Sequence, residues 1–259
     1  MDRLSHLENQ SIYLIREAHH EIGKMAALWS TDIDCTVMLW LCRKAFFGPL
    51  PFRVVYVDPG RYPQEMYDYR DELVREWDLD LIVARNEEAL AAGVGPDSGR
   101  LSCCMALKTQ ALRNAVSEHD IEALLVGIRH EEDPDRETHR PGVPEGSRFA
   151  GDRAEPTPHL REVCEGRFDR DRPARVHPIL DWNELDVWLY VHRENLPVNP
   201  LYFSTGRKRY RRPGCDPCAP TIASDAGTVE EIIEEVLAER AGTSEQTQTV
   251  EKLRSLGYL

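Results

Sequence analysis

The sequence predicts an α/β fold in which a doubly wound, mostly parallel sheet carries helices on both faces. Short apolar segments rich in β-branched residues alternate with longer segments of helical periodicity. Polar segments follow three of the predicted strands, at residues 30–35, 58–62 and 129–132. Folds of this class bind their ligands at the carboxyl ends of the strands, so we expect one shared site there.

The predicted elements follow one another in the order that parallel βαβ units require. Apolar residues recur at helical spacing in the predicted helices Leu4–Lys24, Thr36–Phe47, Tyr62–Trp77, Leu107–Val116, Glu184–Asn195, Thr228–Glu239 and Gln248–Leu256. Short apolar runs, several of them ending at turn residues, give the predicted strands Met25–Trp29, Arg53–Val57, Leu79–Ala84, Ala123–Ile128 and Val176–Leu180.

Composition divides the chain into two regions. Residues 1–200 are predicted to form the α/β domain, and residues 201–259 a C-terminal extension with a basic stretch, a CxxC motif and a helical tail. Within the first region, residues 134–173 are rich in proline, glycine, arginine and glutamate and lack periodicity. Long segments of this kind are often functional loops, so we interpret this one as a lid over the site.

Charge and hydropathy exclude several classes of function. The 259 residues include 32 basic and 45 acidic side chains and carry a formal net charge of −13. This sign argues against a broad electrostatic surface for nucleic acid, although a local basic pocket for a small anion is compatible with it. No apolar run is long enough to span a membrane, and the N-terminus lacks a signal-peptide profile. We therefore expect a cytoplasmic protein without a membrane partner.

Four of the seven cysteines form two pairs that indicate an inorganic centre. Cys103 and Cys104 are adjacent, and Cys215 and Cys218 form a CxxC motif. Four thiolates complete either a tetrahedral zinc site or a [4Fe–4S] cluster. Adjacent cysteines are awkward ligands for one ion, whereas a cluster offers each a separate iron. The pattern favours a [4Fe–4S] cluster, with zinc as the next choice and buried, merely packing thiols as the third.

The segments around these cysteines resemble the iron–sulfur adenylylsulfate reductases. The matching segments are Cys103-Cys104, Leu107-Lys108-Thr109, Gly127-Ile128-Arg129, Pro178–Trp188 and Gly214–Cys218. Two other regions are similar to the small subunit of ATP sulfurylase, through Arg43–Phe46, Glu65–Tyr67, Tyr69–Asp71, Glu251–Arg254 and Gly257-Tyr258. Both families belong to the adenylylsulfate/phosphoadenylylsulfate reductase superfamily of adenine-nucleotide enzymes. The resemblance therefore implies an adenine nucleotide, such as ATP, as ligand.

The resemblance also implies a phosphate-binding loop after the first strand. The superfamily has a Ser-x-Gly-x-Asp-Ser loop there, and this chain has Ser30-Thr31-Asp32-Ile33-Asp34-Cys35. By this correspondence Ser30, Thr31, Asp34 and Thr36 bind the nucleotide. Asp32 replaces the glycine, and a carboxylate about 4 Å from a phosphate charge costs on the order of 4 kcal/mol. We expect it to oppose a triphosphate unless Mg²⁺ or lid arginines compensate. The alternative is an ordinary turn with Asp34 as helix cap.

Other site residues are implied at neighbouring strand ends. Asp58 is expected to hold adenine and ribose, or else is a turn residue before Pro59. Arg129 matches a strand-end arginine of the superfamily and is the candidate clamp for an α-phosphate or sulfate. His130, beside it, is the candidate proton donor, and Asp34 the third catalytic candidate. From the basic stretch 207–212 we expect Arg209 and Arg211 to contact the nucleotide, or to form a solvated strip.

Three functions remain open from the sequence. The first is adenylyl transfer from ATP to an oxyanion, sulfate or phosphate, with pyrophosphate release and a GTPase-like large subunit as partner. The second is the ATP pyrophosphatase of a DNA phosphorothioation system, with a cysteine desulfurase and other DNA-modification subunits, in which DNA is contacted only with a partner. The third is an iron–sulfur interaction subunit that has lost nucleotide binding. The reductases' late nucleophilic cysteine is missing, because no cysteine follows Cys218.

Overall fold

The computed structural model describes residues 2–132 and 173–240, together with the short strand at 164–165. Its central sheet has the strand order β3-β2-β1-β4-β6-β5, in which β1, β2, β3, β4 and β6 are parallel and β5 is antiparallel to β6. The strands are β1 Met25–Leu28, β2 Arg53–Val57, β3 Leu81–Ala84, β4 Ala123–Val126, β5 Cys164–Glu165 and β6 Ala174–Val176. The predicted fold class is confirmed.

Helices connect these strands and extend past them. They are α1 Arg3–Glu21, α2 Ile33–Ala45, α3 Gln64–Glu76, α4 Glu87–Ala91, α5 Arg100–Cys104, α6 Gln110–Glu118, α7 Glu184–Glu194 and α8 Val229–Arg240. A π-helical turn, Met105–Thr109, joins α5 to α6. Most of the predicted lid at 134–173 and the predicted helix Gln248–Leu256 lie outside the described residues. None of the described helices combines the length and hydropathy needed to cross a membrane.

The sheet is covered on both faces because successive residues of each strand point to opposite sides. Ala27, Val54 and Leu125 pack into one apolar cluster with residues of α1, α2, α3, α7 and α8. Ala26 and Leu124, with Val55, pack into a second cluster that includes residues of α6. Each fully buried large apolar side chain contributes about 1.5–3 kcal/mol, so both faces contribute to holding the strand ends in place.

Helix ends are set by local side chains. Asp32 begins α2, because its carboxylate accepts a hydrogen bond from the Cys35 N–H. Asn183 and Asp186 form a reciprocal capping box at the start of α7, which ends at Asn195 in the left-handed conformation. The sequence alternative that made Asp34 the cap is therefore wrong, since Asp32 holds that position.

Three predicted elements differ from the structure. The strand predicted at Val176–Leu180 lies at Ala174–Val176, and the chain then turns so that the Leu180 carbonyl accepts the His130 N–H. The helix predicted at Leu107–Val116 starts earlier, at α5. The basic stretch, expected as a loop, contains β7 Lys208–Tyr210, which pairs with β8 Thr221–Ala223. This hairpin was not predicted, because such short polar strands carry no apolar alternation.

The strand order reverses between β1 and β4, which opens the carboxyl edge of the sheet at that point. Here β4 runs into Gly127, whose backbone passes directly over the first turn of α2. A Cβ atom at Gly127 would lie 2.9 Å from Cys35 Cα and 3.0 Å from Cys35 N. The missing side chain therefore allows the two segments that form the edge to approach each other.

We predict that Gly127→Ala destabilises the protein, because the added methyl group must push backbone atoms apart. Overpacking of this kind costs about 1–3 kcal/mol, measured as the free energy of unfolding in urea. Gly23→Ala is the matched control, since a Cβ there meets nothing within 4 Å. Equal stability of the two variants would contradict the close packing at Gly127.

Candidate functional site

The loop between β1 and α2 is held in a tight turn by its own side chains. Thr31 is fully buried and has a φ of 64°, a left-handed conformation that β-branched residues seldom adopt. The Asp32 carboxylate accepts hydrogen bonds from the Cys35 N–H at 2.8 Å and from the Ser30 hydroxyl at 2.6 Å. The Asp32 side chain therefore folds back over the first turn of α2.

Other donors at the start of α2 also have acceptors inside the chain. The Ile33 N–H donates to the Tyr202 hydroxyl at 2.9 Å, and the Thr36 N–H donates to the Asp32 carbonyl at 3.0 Å. The Thr36 hydroxyl donates to that same carbonyl and accepts from the Trp29 indole N–H. Thr36 is fully buried, so its hydroxyl supports the loop from within the core.

A buried ion pair joins this loop to the end of β4. The Arg129 Nε lies 2.8 Å from one Asp34 oxygen and its Nη2 lies 3.3 Å from the other. Arg129 is 4% exposed and Asp34 6% exposed, so both charges are removed from water. A two-point contact between guanidinium and carboxylate fixes orientation as well as distance. The structure thus brings two of the predicted catalytic residues together.

Arg129 also links the edge to the C-terminal helices. Its Nη1 lies 3.0 Å from Glu131, whose carboxylate accepts a hydrogen bond from the Glu184 N–H and pairs with Arg240. The third predicted catalytic residue, His130, is turned toward a different carboxylate. Its Nε2 lies 3.6 Å from Asp181.

Asp58, after β2, is buried and has donors on three sides. Its carboxylate accepts hydrogen bonds from the Gly60 N–H at 2.7 Å, the Tyr67 hydroxyl at 2.8 Å and Arg85 at 3.0 Å. Burial, together with the hydrogen bond to Asp58, raises the pKa of Tyr67 to about 12. Asp58 therefore organises the turn that follows β2, at the same edge as the α2 loop.

Three of the four paired cysteines, Cys104, Cys215 and Cys218, lie near this turn and influence one another. The thiols of Cys104 and Cys218 are close enough to Cys215 to act on its charge, and all four cysteines of the two pairs are partly exposed. Burial raises the pKa of the Cys215 thiol, while a hydrogen bond from Lys108 opposes that rise. The CxxC loop is attached by its main chain, because the Asp216 N–H donates to the Arg61 carbonyl at 3.0 Å.

In the part of the chain that the structure describes, no group of three or more histidine, cysteine or acidic side chains has metal-binding geometry. The donor chemistry of the cysteines nevertheless fits an iron–sulfur cluster, since soft thiolates from two segments lie near one another. Cys35 differs from them, because burial raises the pKa of its thiol well above the ordinary value. Its thiol therefore stays protonated and packs beside Gly127.

The two arginines expected from the basic stretch have acidic partners within the chain. Arg209 is buried on β7, where its guanidinium pairs with Glu235 at 2.8 Å and also contacts Ser224. Arg211 pairs with Glu184 at 2.7 Å and with Glu239 at 2.9 Å. These contacts attach the β7–β8 hairpin to α7 and α8. Nucleotide contact by either arginine stays a prediction.

Three residues at the edge were not predicted as site residues. Tyr202 closes the start of α2 from a segment 169 positions away, and burial raises the pKa of its phenol well above the ordinary value. Tyr62 is packed beside Tyr56, and the Lys108 Nζ lies 5.7 Å from its ring centroid. The sequence contained a local signal for Lys108, because this residue follows the pair Cys103-Cys104 within one helical turn. No local sequence pattern indicated Tyr202 or Tyr62 as a site residue.

Taken together, the fold and the edge define an α/β protein with a candidate ligand site at the switch point of its sheet. The family model described as the phosphoadenosine phosphosulfate reductase domain matches residues 24–221. The chain belongs to this family, so the predicted superfamily is confirmed. Sulfate adenylyltransferase subunit 2 of Pseudomonas putida is 34% identical over 284 residues, with 95% of this chain and 92% of that protein covered. The Pseudomonas paraeruginosa protein of that name is 32% identical and covers 100% of this chain and 99% of its own length.

Solved structures share the fold at lower identity. A phosphoadenylyl-sulfate reductase from Candida auris, in a phosphate complex, has a TM-score of 0.55 at 16% identity and covers 80% of this chain and 95% of its own. The FMN adenylyltransferase of Candida glabrata, in complex with FMN and an ATP analog, has a TM-score of 0.57 at 17% identity, with 83% and 62% covered. A U34-tRNA thiolase from Methanococcus maripaludis with its [4Fe-4S] cluster has a TM-score of 0.52 at 14% identity, with 94% and 77% covered.

We predict that Arg129→Met lowers the free energy of unfolding by about 3–5 kcal/mol, because it leaves the buried Asp34 carboxylate without its bidentate partner. The double variant Arg129→Met/Asp34→Asn should recover most of this loss, since it removes the second charge as well. Urea unfolding of both variants measures the coupling. A double variant as unstable as the single one would show that the pair does not hold the two segments together.

Proposed function

We propose that the chain binds an adenine nucleotide at the carboxyl edge of its sheet and takes part in adenylyl transfer in sulfur metabolism. The observation that carries the proposal is the meeting of the α2 loop and Arg129 at the switch point, in a chain that matches sulfate adenylyltransferase subunit 2 over 95% of its length. The likeness in fold to a structure solved with an ATP analog also supports it.

In adenylyl transfer an acceptor oxygen forms a bond to the α-phosphorus while the bond to the leaving oxygen breaks. Negative charge shifts onto the leaving oxygen, which cationic groups stabilise when they are held in place beforehand. Arg129 is held by Asp34 on one side, and its Nη1 contacts Glu131, which is partly exposed. We assign to Arg129 the binding of the α-phosphate or of a sulfate-type acceptor. The bound group would compete with the Glu131 carboxylate for the Arg129 Nη1. We assign His130 to proton donation at the leaving oxygen.

Adenylyl transfer can proceed with different leaving groups, and the contacts at the start of α2 limit which of them this edge can bind. Cleavage of ATP with pyrophosphate release requires free donors at the start of α2 for the departing pyrophosphate. The Asp32 carboxylate already accepts hydrogen bonds there. We therefore restrict the proposal to transfer of the adenylyl group between oxyanions, sulfate or phosphate.

We also propose that Cys103, Cys104, Cys215 and Cys218 hold a [4Fe–4S] cluster. The influence of the Cys104 and Cys218 thiols on Cys215 supports this assignment. When bound, such a cluster would supply a fixed inorganic link between α5 and the CxxC loop. The chain's own contribution is to place the Lys108 ammonium and the Tyr62 ring beside the thiols.

A partner subunit completes the proposal, since the relatives are named as the second subunit of their enzyme. In a DNA phosphorothioation system, the basic stretch at residues 207–212 would be the surface that faces the DNA backbone. Arg209 and Arg211 are paired with acidic residues, and this leaves less positive charge for a DNA backbone. These pairings favour adenylyl transfer over DNA phosphorothioation.

We expect Arg129→Ala to weaken nucleotide binding by ~1.5–3 kcal/mol, the range for a charged hydrogen-bond partner. Isothermal titration of the full chain with AMP measures the effect. Arg75→Ala is the control, because Arg75 is exposed on α3 and the substitution removes one positive charge outside the described site. Since Arg129→Ala also breaks the ion pair, the titration is run well below its unfolding midpoint. Unchanged affinity in a folded variant would exclude Arg129 from the site.

Cys215→Ser should abolish iron binding, because it removes the thiol that lies beside those of Cys104 and Cys218. Iron content per chain after anaerobic purification, with the thiolate-to-iron absorption band, is the measurement. The control Cys42→Ser removes a thiol that is fully buried on α2. One zinc per chain with no iron in the wild type would replace the cluster assignment by a zinc site.

A further inference from the structure

The start of α2 contains its own anion. The Asp32 carboxylate accepts hydrogen bonds from the Cys35 N–H and the Ser30 hydroxyl, which are the kinds of donors that hold phosphate at a helix N-terminus. The N–H groups of Ile33 and Thr36 also have acceptors, the Tyr202 hydroxyl and the Asp32 carbonyl. A ligand phosphate at this position must displace a carboxylate that is tethered to the loop itself.

The charges around this loop also oppose the binding of a ligand phosphate. The hydrogen-bond donors to Asp32 are neutral groups, so its negative charge persists at the helix start. Arg129 pairs with Asp34 and Glu131, and the Arg212 guanidinium lies 3.8 Å from Asp34. Repulsion from Asp32 grows with the number of charged phosphates that approach it. A triphosphate is therefore opposed more strongly than a single phosphate.

The loop nevertheless keeps features of a ligand site. Thr31 is held at a φ of 64°, a strained conformation that persists where the surrounding structure fixes it and that clusters at functional sites. Its Oγ1 is buried and has no hydrogen-bond partner among the described residues. A ligand atom at this edge would satisfy that hydroxyl group.

We propose that Asp32 determines the specificity of this edge for nucleotides with a single phosphate. Its carboxylate takes the place of a pyrophosphate group, so the edge accepts AMP and excludes ATP. This inference rests on the proposed function, because it requires an adenine-nucleotide site at the same edge. It specifies which adenine nucleotide that site accepts.

The test is isothermal titration of the full chain with AMP, ADP and ATP, each with and without Mg²⁺. AMP binds, and ATP binds about 100-fold more weakly or not at all, because it must approach Asp32. The variant Asp32→Gly removes both the charge and the Cβ atom. It raises the affinity for ATP by about 100-fold and changes that for AMP by less than about 10-fold.

Two further variants separate the effect of the Asp32 charge from the effect of losing its helix cap. Asp32→Asn keeps an oxygen that caps α2 and removes the charge, so it recovers part of the ATP affinity while the thermal unfolding midpoint stays near that of the wild type. Asp80→Asn removes one exposed carboxylate just before β3, at the opposite edge of the sheet, and leaves the preference unchanged.

Each other outcome has a distinct meaning. Equal affinity of the wild type for AMP and ATP overturns the inference, as does continued rejection of ATP by a folded Asp32→Gly variant that binds AMP. ATP binding that appears in the wild type only with Mg²⁺ also overturns it, because Asp32 then acts as a metal ligand. If neither the wild type nor Asp32→Gly binds any of the three nucleotides, the nucleotide site itself is refuted, and the proposed function falls with it.

Discussion

The bidentate ion pair between Arg129 and Asp34 is the contact on which the site depends. It connects the end of β4 to the first turn of α2 across the point where the strand order reverses. Because both charges are buried, a change of either residue deprives the other of its bidentate partner. The pair is possible because Gly127 lets the two backbones approach within contact distance. Packing and electrostatics therefore impose the same geometry on the edge.

Much of the fold followed from periodicity, since the sheet is built from apolar strands separated by helices with one buried face. The strand ends located Ser30, Asp58 and Arg129 correctly at one edge, because parallel strands must finish on the same side. The elements that were missed or misplaced are short or polar, as in the β7–β8 hairpin, where contacts to Glu235 and Ser224 replace an apolar pattern.

The contacts of the site could be predicted from the sequence less well than the fold, because they depend on side-chain directions and on residues far apart in the chain. Asp32 was identified as a negative charge where a glycine was expected, but its role as the cap of α2 depends on the direction of a side chain. Tyr202 reaches the same helix from far along the chain, and no local pattern marks such a contact. The partners of Arg209 and Arg211 lie on α7 and α8, so their pairing became visible only with the tertiary structure.

A main-chain hydrogen bond, from the Asp216 amide to the Arg61 carbonyl, attaches the CxxC loop to the turn after β2. An ordinary side-chain substitution at either position leaves those two atoms in place, so alanine scanning would not detect this hydrogen bond. The exception is Asp216→Pro, since proline has no amide hydrogen. The CxxC loop is thereby tied to the carboxyl edge of the sheet in a way that tolerates wide variation in the side chains around it.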